Sequence, residues 1–150
     1  MDNEEAESRT IRMFLSYSHK EKELAGEIKE NLEAGGFEVF LAHEDIEPSS
    51  EWQEEIIRNL KNCDIFIPIV SENFKESEWT DQESGIAFAE EKMIIPINLN
   101  LVPYGFIGKF QALKVGRRIS DSCTKIIEII KTKNPALKEI ITGPFHQILH

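Results

Sequence analysis

The chain has 150 residues, 41% of them apolar, with a net charge of -10 and an isoelectric point near 4.9. That length and apolar content suit one globular domain with one core, while the excess acid repels a phosphate backbone with no run of Lys or Arg to offset it, so no nucleic acid partner is expected. No apolar stretch approaches the roughly 20 residues needed to cross a bilayer, and no membrane is expected either.

Met1 to Arg9 is acidic rather than basic and apolar, unlike a signal or transit peptide. Residues 1–10 are therefore read as a flexible acidic N-terminus ahead of a domain over residues 11–133. Ile11 to Tyr17 forms a first strand, and a helix follows from about Lys20 to Ala34, with Leu24, Ile28 and Leu32 on one face and Gly35-Gly36 as its stop. A second strand over Glu38 to Ala42 leads through a polar loop with Pro48, Ser49 and Ser50 into a helix bearing Trp52, Ile56, Ile57 and Leu60. Asp64 to Val70 is the third strand, followed by a loop and a helix that ends near Glu91. Met93 to Leu99 is the fourth strand, Ala112 to Val115 a short fifth, and Ser122 to Lys133 a last helix. Alternating strands and helices predict an α/β fold, a parallel sheet covered on both faces.

Pro68 and Pro96 fall inside buried strands and each removes a ladder donor, so a bulge is expected at both. Phe40 is expected in the core. Residues 134–150 form an extension that either leads into a further domain or docks on the last helix. Cys63 and Cys123 sit in apolar or helical patterns and read as buried reduced thiols of a cytoplasmic protein. His19, His43, His146 and His150 have neither metal-ligand spacing with these cysteines nor a serine triad partner, so metal and serine-hydrolase chemistry are not expected. Walker-type loops are also absent. Lys109, Lys114, Arg117 and Arg118 make one local basic patch, read as a solvated face or a contact for an acidic partner or a substrate phosphate.

Ligands of open parallel sheets bind beyond the carboxyl ends of the strands. The loops there begin with Ser16-Tyr17-Ser18, with His43-Glu44-Asp45, and with Ser71, the last running to Glu83. Within it, Trp79 and Glu83 stand four residues apart where a loop becomes a helix, a spacing that stacks an indole and a carboxylate on one face. The spacing alone has a plainer explanation: Thr80-x-x-Glu83 is also a capping box, as are Ser18-x-x-Glu21 and Ser50-x-x-Gln53. Trp79 reads equally as core wall or substrate wall. Tyr17, a polar-tipped ring at a strand end, suits a pocket. Ser16 and Ser18 suit donors to phosphate or ribose, or a simple N-cap.

Met13-Phe14-Leu15-Ser16-Tyr17-Ser18, Gly36-Phe37-Glu38-Val39-Phe40-Leu41, Trp79 to Glu83 and Met93-Ile94-Ile95-Pro96-Ile97 follow one another in the order of four motifs of the Toll/interleukin-1 receptor (TIR) domains, and the chain resembles the stand-alone prokaryotic kind over about residues 11 to 132. The resemblance implies a flavodoxin-like five-stranded sheet of order 2-1-3-4-5. It also implies one of two activities: cleavage or cyclisation of NAD+ at the nicotinamide-ribose bond by the Glu of Trp-x-x-x-Glu, here Glu83, or non-enzymatic scaffolding by self-association. Glu44-Asp45 and Pro48-Ser49 depart from the Arg-Asp and Pro-Gly pattern of many adaptors. The expected site is thus Glu83 as catalytic residue with Ser16, Tyr17, Ser18, Glu44 and Trp79 binding substrate. The resemblance implies NAD+ as substrate and no cofactor; the implied setting is prokaryotic antiviral defence or signalling. A nucleoside deoxyribosyltransferase-like enzyme, which also uses an acid at a sugar-base bond, is a further alternative.

Overall fold

The computed structural model describes residues 9–42 and 50–143. In chain order these form β1 (Arg12–Ser16), a 3-10 turn (His19–Glu21), α1 (Lys22–Ala34), β2 (Glu38–Leu41), α2 (Ser50–Asn62), β3 (Ile65–Val70), α3 (Glu72–Glu76), α4 (Glu78–Ala89), β4 (Met93–Ile94), β5 (Ile97–Asn98), a second 3-10 turn (Gly105–Ile107), β6 (Leu113–Lys114), α5 (Ile119–Lys133) and α6 (Pro135–Thr142). α1 buries Ala25, Ile28 and Leu32 at helical spacing. It stops where Gly36 takes a φ of 98°, a left-handed turn that only glycine adopts freely, and Phe37 N–H donates back to the Leu32 carbonyl at 3.2 Å. On α2, Ile56 and Leu60 are buried but Ile57 is 41% exposed, because one step round the helix carries it off the apolar stripe.

Every strand pairs in parallel, in the order β2-β1-β3-β5-β6 with β4 also on β3. The fold is the expected one once β4 and β5 are taken as halves of a single interrupted strand. Bulges, expected at Pro68 and Pro96, are not what interrupts it. The register from Ile65↔Met93 to Ile69↔Ile97 is unbroken, which sets the two prolines opposite each other. Their missing N–H groups fall at one step of the ladder, and pairing continues on either side without an inserted residue.

The sheet divides the single expected core in two. Met13, Leu15, Tyr17, Val39 and Ile67 face α1, α5 and α6. Phe14, Phe66, Val70 and Ile94 face α2, α3, α4 and the second turn, with half-buried Phe40 packed beside Phe14 at a ring separation of 5.2 Å. The segment after Lys133 docks on α5: the Asn134 side chain accepts from Leu137 N–H at 3.1 Å, Pro135 opens the helix, and Leu137, Ile140 and Ile141 are buried in the first core.

Cys63 and Cys123 are free and buried, one in each core. Burial pushes each thiol up to about 11. A group whose folded pKa lies above its unfolded value loses its stabilising share as pH rises through that range. Neither thiol is therefore expected to react with a disulfide reagent at neutral pH before unfolding, and melting temperature should fall between pH 9 and 11, less so in Cys63→Ala; rapid labelling of the native protein would contradict this.

Candidate active site

Side chains alternate along β1, so Ser16 lies on the same side of the sheet as Phe14, toward α4. α4 is set off from α3 by Ser77, whose extended backbone (φ -82°, ψ 130°) breaks the helix between them. The Thr80 hydroxyl donates to the carbonyls of Phe74 at 2.5 Å and Ser77 at 3.2 Å, tying the first turn of α4 back onto α3. Thr80, Glu83, Ser84 and Ala87 then form the buried stripe of α4 at three- and four-residue spacing.

Glu83 therefore occupies a position that packing would give to an apolar side chain. It is 1% exposed, and its Oε1 accepts from Ser16 Oγ at 2.7 Å. Desolvating a carboxyl group is costly, so a carboxyl group at a core position is a candidate for chemistry. Ser16 and Glu83, 67 residues apart in the chain, are brought together by the crossing of α4 over β1.

The capping-box explanation of Glu83 is overturned, because α4 begins at Glu78 with Ser77 as its N-cap and Thr80 is already inside the first turn. At Ser18-x-x-Glu21 the reciprocal box is replaced by two separate bonds. Ser18 Oγ accepts from Lys20 N–H at 3.3 Å, and the Glu21 carboxylate accepts from Asn73 Nδ2 at 3.2 and 3.4 Å, fastening the loop after β1 to α3.

Of the other expected substrate contacts, Ser18 is buried and lines a cleft of about 210 Å³ with His19, Lys20, Asn73, Glu76 and Ser77, at the carboxyl ends of β1 and β3. Trp79 is half-buried and packs edge-on against Trp52 of α2, ring centroids 5.2 Å apart. Tyr17 is 3% exposed and packs into the core on the other face of the sheet. Glu44 lies outside the described residues.

Sequence reading missed the part played by Tyr104. Its hydroxyl donates to Asp81 Oδ1 at 2.7 Å, so the loop after β5 is bound to the same helix that carries Glu83; burial and the Asp81 carboxylate push the phenol well up. An isolated Tyr in a loop gives no signal for this. A larger cavity, about 830 Å³, lies at the other end of the sheet between Asp64, Lys92, Met93, Phe110, Leu113 and Lys133. Ligands of such sheets sit at carboxyl strand ends, the end at which Glu83 meets Ser16, so Glu83 rather than this cavity is the candidate centre. Among the described residues no group of three or more His, Cys, Asp or Glu is placed to hold a metal ion, and no helix is long and apolar enough to cross a membrane.

Residues 13–127 match the family described as TIR domain. No curated protein matches the chain. Among solved structures it is similar to the TIR domain of the Toll-related receptor TRR-2 from Hydra magnipapillata, with a TM-score of 0.58 and 22% identity over 85% of this chain and 96% of that one. It is also similar to the CMP N-glycosidase BcmB of Clostridium botulinum, with a TM-score of 0.57 and 21% identity over 77% and 98%. The TIR domains of the activated Roq1 resistosome, which recognises the pathogen effector XopQ, give a TM-score of 0.53 at 14% identity over 88% and 80%. At these identities the likeness is one of fold.

Proposed function

This chain belongs to the TIR domain family, and from that premise we propose that it cleaves NAD+ at the nicotinamide-ribose bond with Glu83 as its catalytic residue. The observation that carries the reading is the Glu83 carboxyl group held by Ser16 at the carboxyl end of β1, on a helix stripe that packing would make apolar. Nicotinamide leaves as a neutral amide because its ring nitrogen is already cationic, so no acid is needed at the leaving group, unlike ordinary glycoside hydrolysis. Positive charge remains on the ribose, and a fixed carboxylate beside it stabilises that charge as it develops. Water as the attacking group gives ADP-ribose, and a nucleophile within the ADP-ribose gives a cyclic isomer. Antiviral defence or signalling in a prokaryote is the setting that the family suggests.

Glu83 is closed to solvent, so a sugar reaches its carboxylate only when the cover over it parts. Activity is accordingly sought over a wide range of protein concentration: NAD+ is incubated with the purified chain and free nicotinamide followed by chromatography, with mass spectrometry of the ribosyl product. Absence of nicotinamide at every concentration would overturn the NAD+ reading.

The likeness to a CMP N-glycosidase favours a second reading, a nucleotide substrate with a neutral base. That base needs protonation or charge delocalisation to leave, so its release should depend on an acid where nicotinamide release does not. Parallel incubations with NAD+, CMP and deoxynucleosides separate the readings by which base appears.

Trp79→Ala tests the aromatic wall. An edge-on pair is worth roughly 0.5–1.5 kcal/mol, so a modest fall in melting temperature is expected, with KM for NAD+ raised more than kcat is lowered. A large stability loss with KM unchanged would make Trp79 a packing residue only.

A further inference from the structure

The cavity of about 830 Å³, at the end of the sheet away from Glu83, owes its existence to one proline. Leu113 N–H donates to the Pro96 carbonyl at 2.9 Å, so the Pro96 nitrogen faces β6 too, and it has no hydrogen to carry the ladder on to Gln111. β6 therefore begins at Leu113 and pairs only with β5. The chain before it turns away, and among the described residues no strand covers that side of β4.

What the open edge presents follows from the register. Ile95 N–H donates to the Phe66 carbonyl at 3.0 Å, so Ile95 and Met93 turn their backbone polar groups toward β3. Ile94 lies between them, and alternation along the strand turns its N–H and carbonyl the other way, toward the cavity it lines. The residue is 6% exposed, and backbone groups at such depth take a partner. Across the gap stands the half-buried ring of Phe110, with Met93, Leu113 and Ile129 as further apolar walls. Around the rim, Asp64, Glu90 and Glu91 are balanced by Lys92, Lys133 and the Arg9 guanidinium, which pairs with Asp64 at 2.9 Å.

A donor and an acceptor side by side, a flat aromatic wall, a volume in the range of small-molecule sites and a rim without net charge select one kind of ligand. We propose that this cavity binds a neutral planar heterocycle whose edge carries an adjacent donor and acceptor, such as the carboxamide of nicotinamide or the amino-pyrimidine edge of adenosine, paired with the carbonyl and N–H of Ile94. Glu90 and Glu91 line the cavity, so an occupant abuts the end of the helix that carries Glu83. Binding does not depend on the NAD+ reading and is measured without turnover.

The test is a titration of the nitrogen-15-labelled full chain with nicotinamide and, separately, with adenosine, followed by amide resonances and hydrogen exchange. The Ile94 amide should shift and its exchange should slow on binding, while the Ile95 amide, bonded to Phe66 throughout, should keep its exchange rate. Nicotinate and purine riboside, which lack the donor, should each bind about tenfold more weakly than their counterparts, the effect of one lost hydrogen bond. Whichever of the two ligands binds tighter identifies the source of the edge. Phe110→Ala should weaken binding, and Ala112→Trp, which fills the gap, should abolish it, with melting curves to check folding. If neither variant folds, the analogue pairs decide. Glu83→Gln should leave this binding unchanged, which separates it from substrate binding at the other end of the sheet. The proposal is overturned if neither ligand at millimolar concentration shifts Ile94, if the analogues bind as well as their counterparts, or if the shifts gather around Ser16 and Glu83 instead.

Discussion

Glu83→Gln is expected to reduce nicotinamide release by about 100-fold to 1000-fold, the usual consequence of losing preorganised charge stabilisation. The substitution keeps the shape of the side chain and an oxygen for Ser16 Oγ, which now stands 2.7 Å from Oε1. What it removes is the capacity for negative charge, whose desolvation at a buried position is costly. Melting temperature should therefore stay level or rise while activity collapses. Ser16→Ala should act in the same direction but less, on the order of tenfold, because it removes one hydrogen bond to the carboxyl group and leaves the charge in place. Initial rates of nicotinamide release set against thermal melts decide the matter: wild-type turnover by Glu83→Gln would take this residue out of the mechanism, and a lower melting temperature with parallel loss of activity would make it a structural residue.

The second large effect concerns α6. Ile140→Ala should cost about 2–4 kcal/mol, as truncation of a buried Ile does when its cavity does not collapse, and at roughly 2–4 °C per kcal/mol for a domain of this size the melting temperature should drop by about 5–15 °C. Ile140 is buried with Leu137 and Ile141 in the core shared by α1 and α5. Ile57→Ala, at an exposed position on α2, should change stability by less than about 0.5 kcal/mol. Equal small effects at both positions would mean that α6 contributes little to the fold in solution. The apolar residues of α6 are buried in the core of the domain it follows.

Much of the architecture was legible because burial leaves a periodic mark. Ala25, Ile28 and Leu32 recur at helical spacing, β3 is apolar at every position, and Gly36 stops α1 with the one backbone conformation that other residues avoid. α6 was legible in principle as well, since Asn134-Pro135 is a capping signal and Leu137, Ile140 and Ile141 share a face, but its eight residues give a short pattern. The two prolines show a different limit. Each alone argues against a buried strand, and only their placement opposite each other shows how the sheet accommodates both.

At the site the chain by itself determined the chemical types: a carboxylate at Glu83, hydroxyls at Ser16 and Ser18, and indoles at Trp52 and Trp79. Those are properties of residues and of near neighbours, and they can be read in one dimension. Tertiary structure alone decided which of them meet. Spacing allowed Glu83 to cap its own helix, and the packing of α4 across β1 instead aimed it at Ser16; alternation along β1 sent Tyr17 to the opposite face; a loop tyrosine found Asp81. Contacts between distant segments follow from how whole faces are buried against one another, a sum over the two cores that no local window of sequence contains.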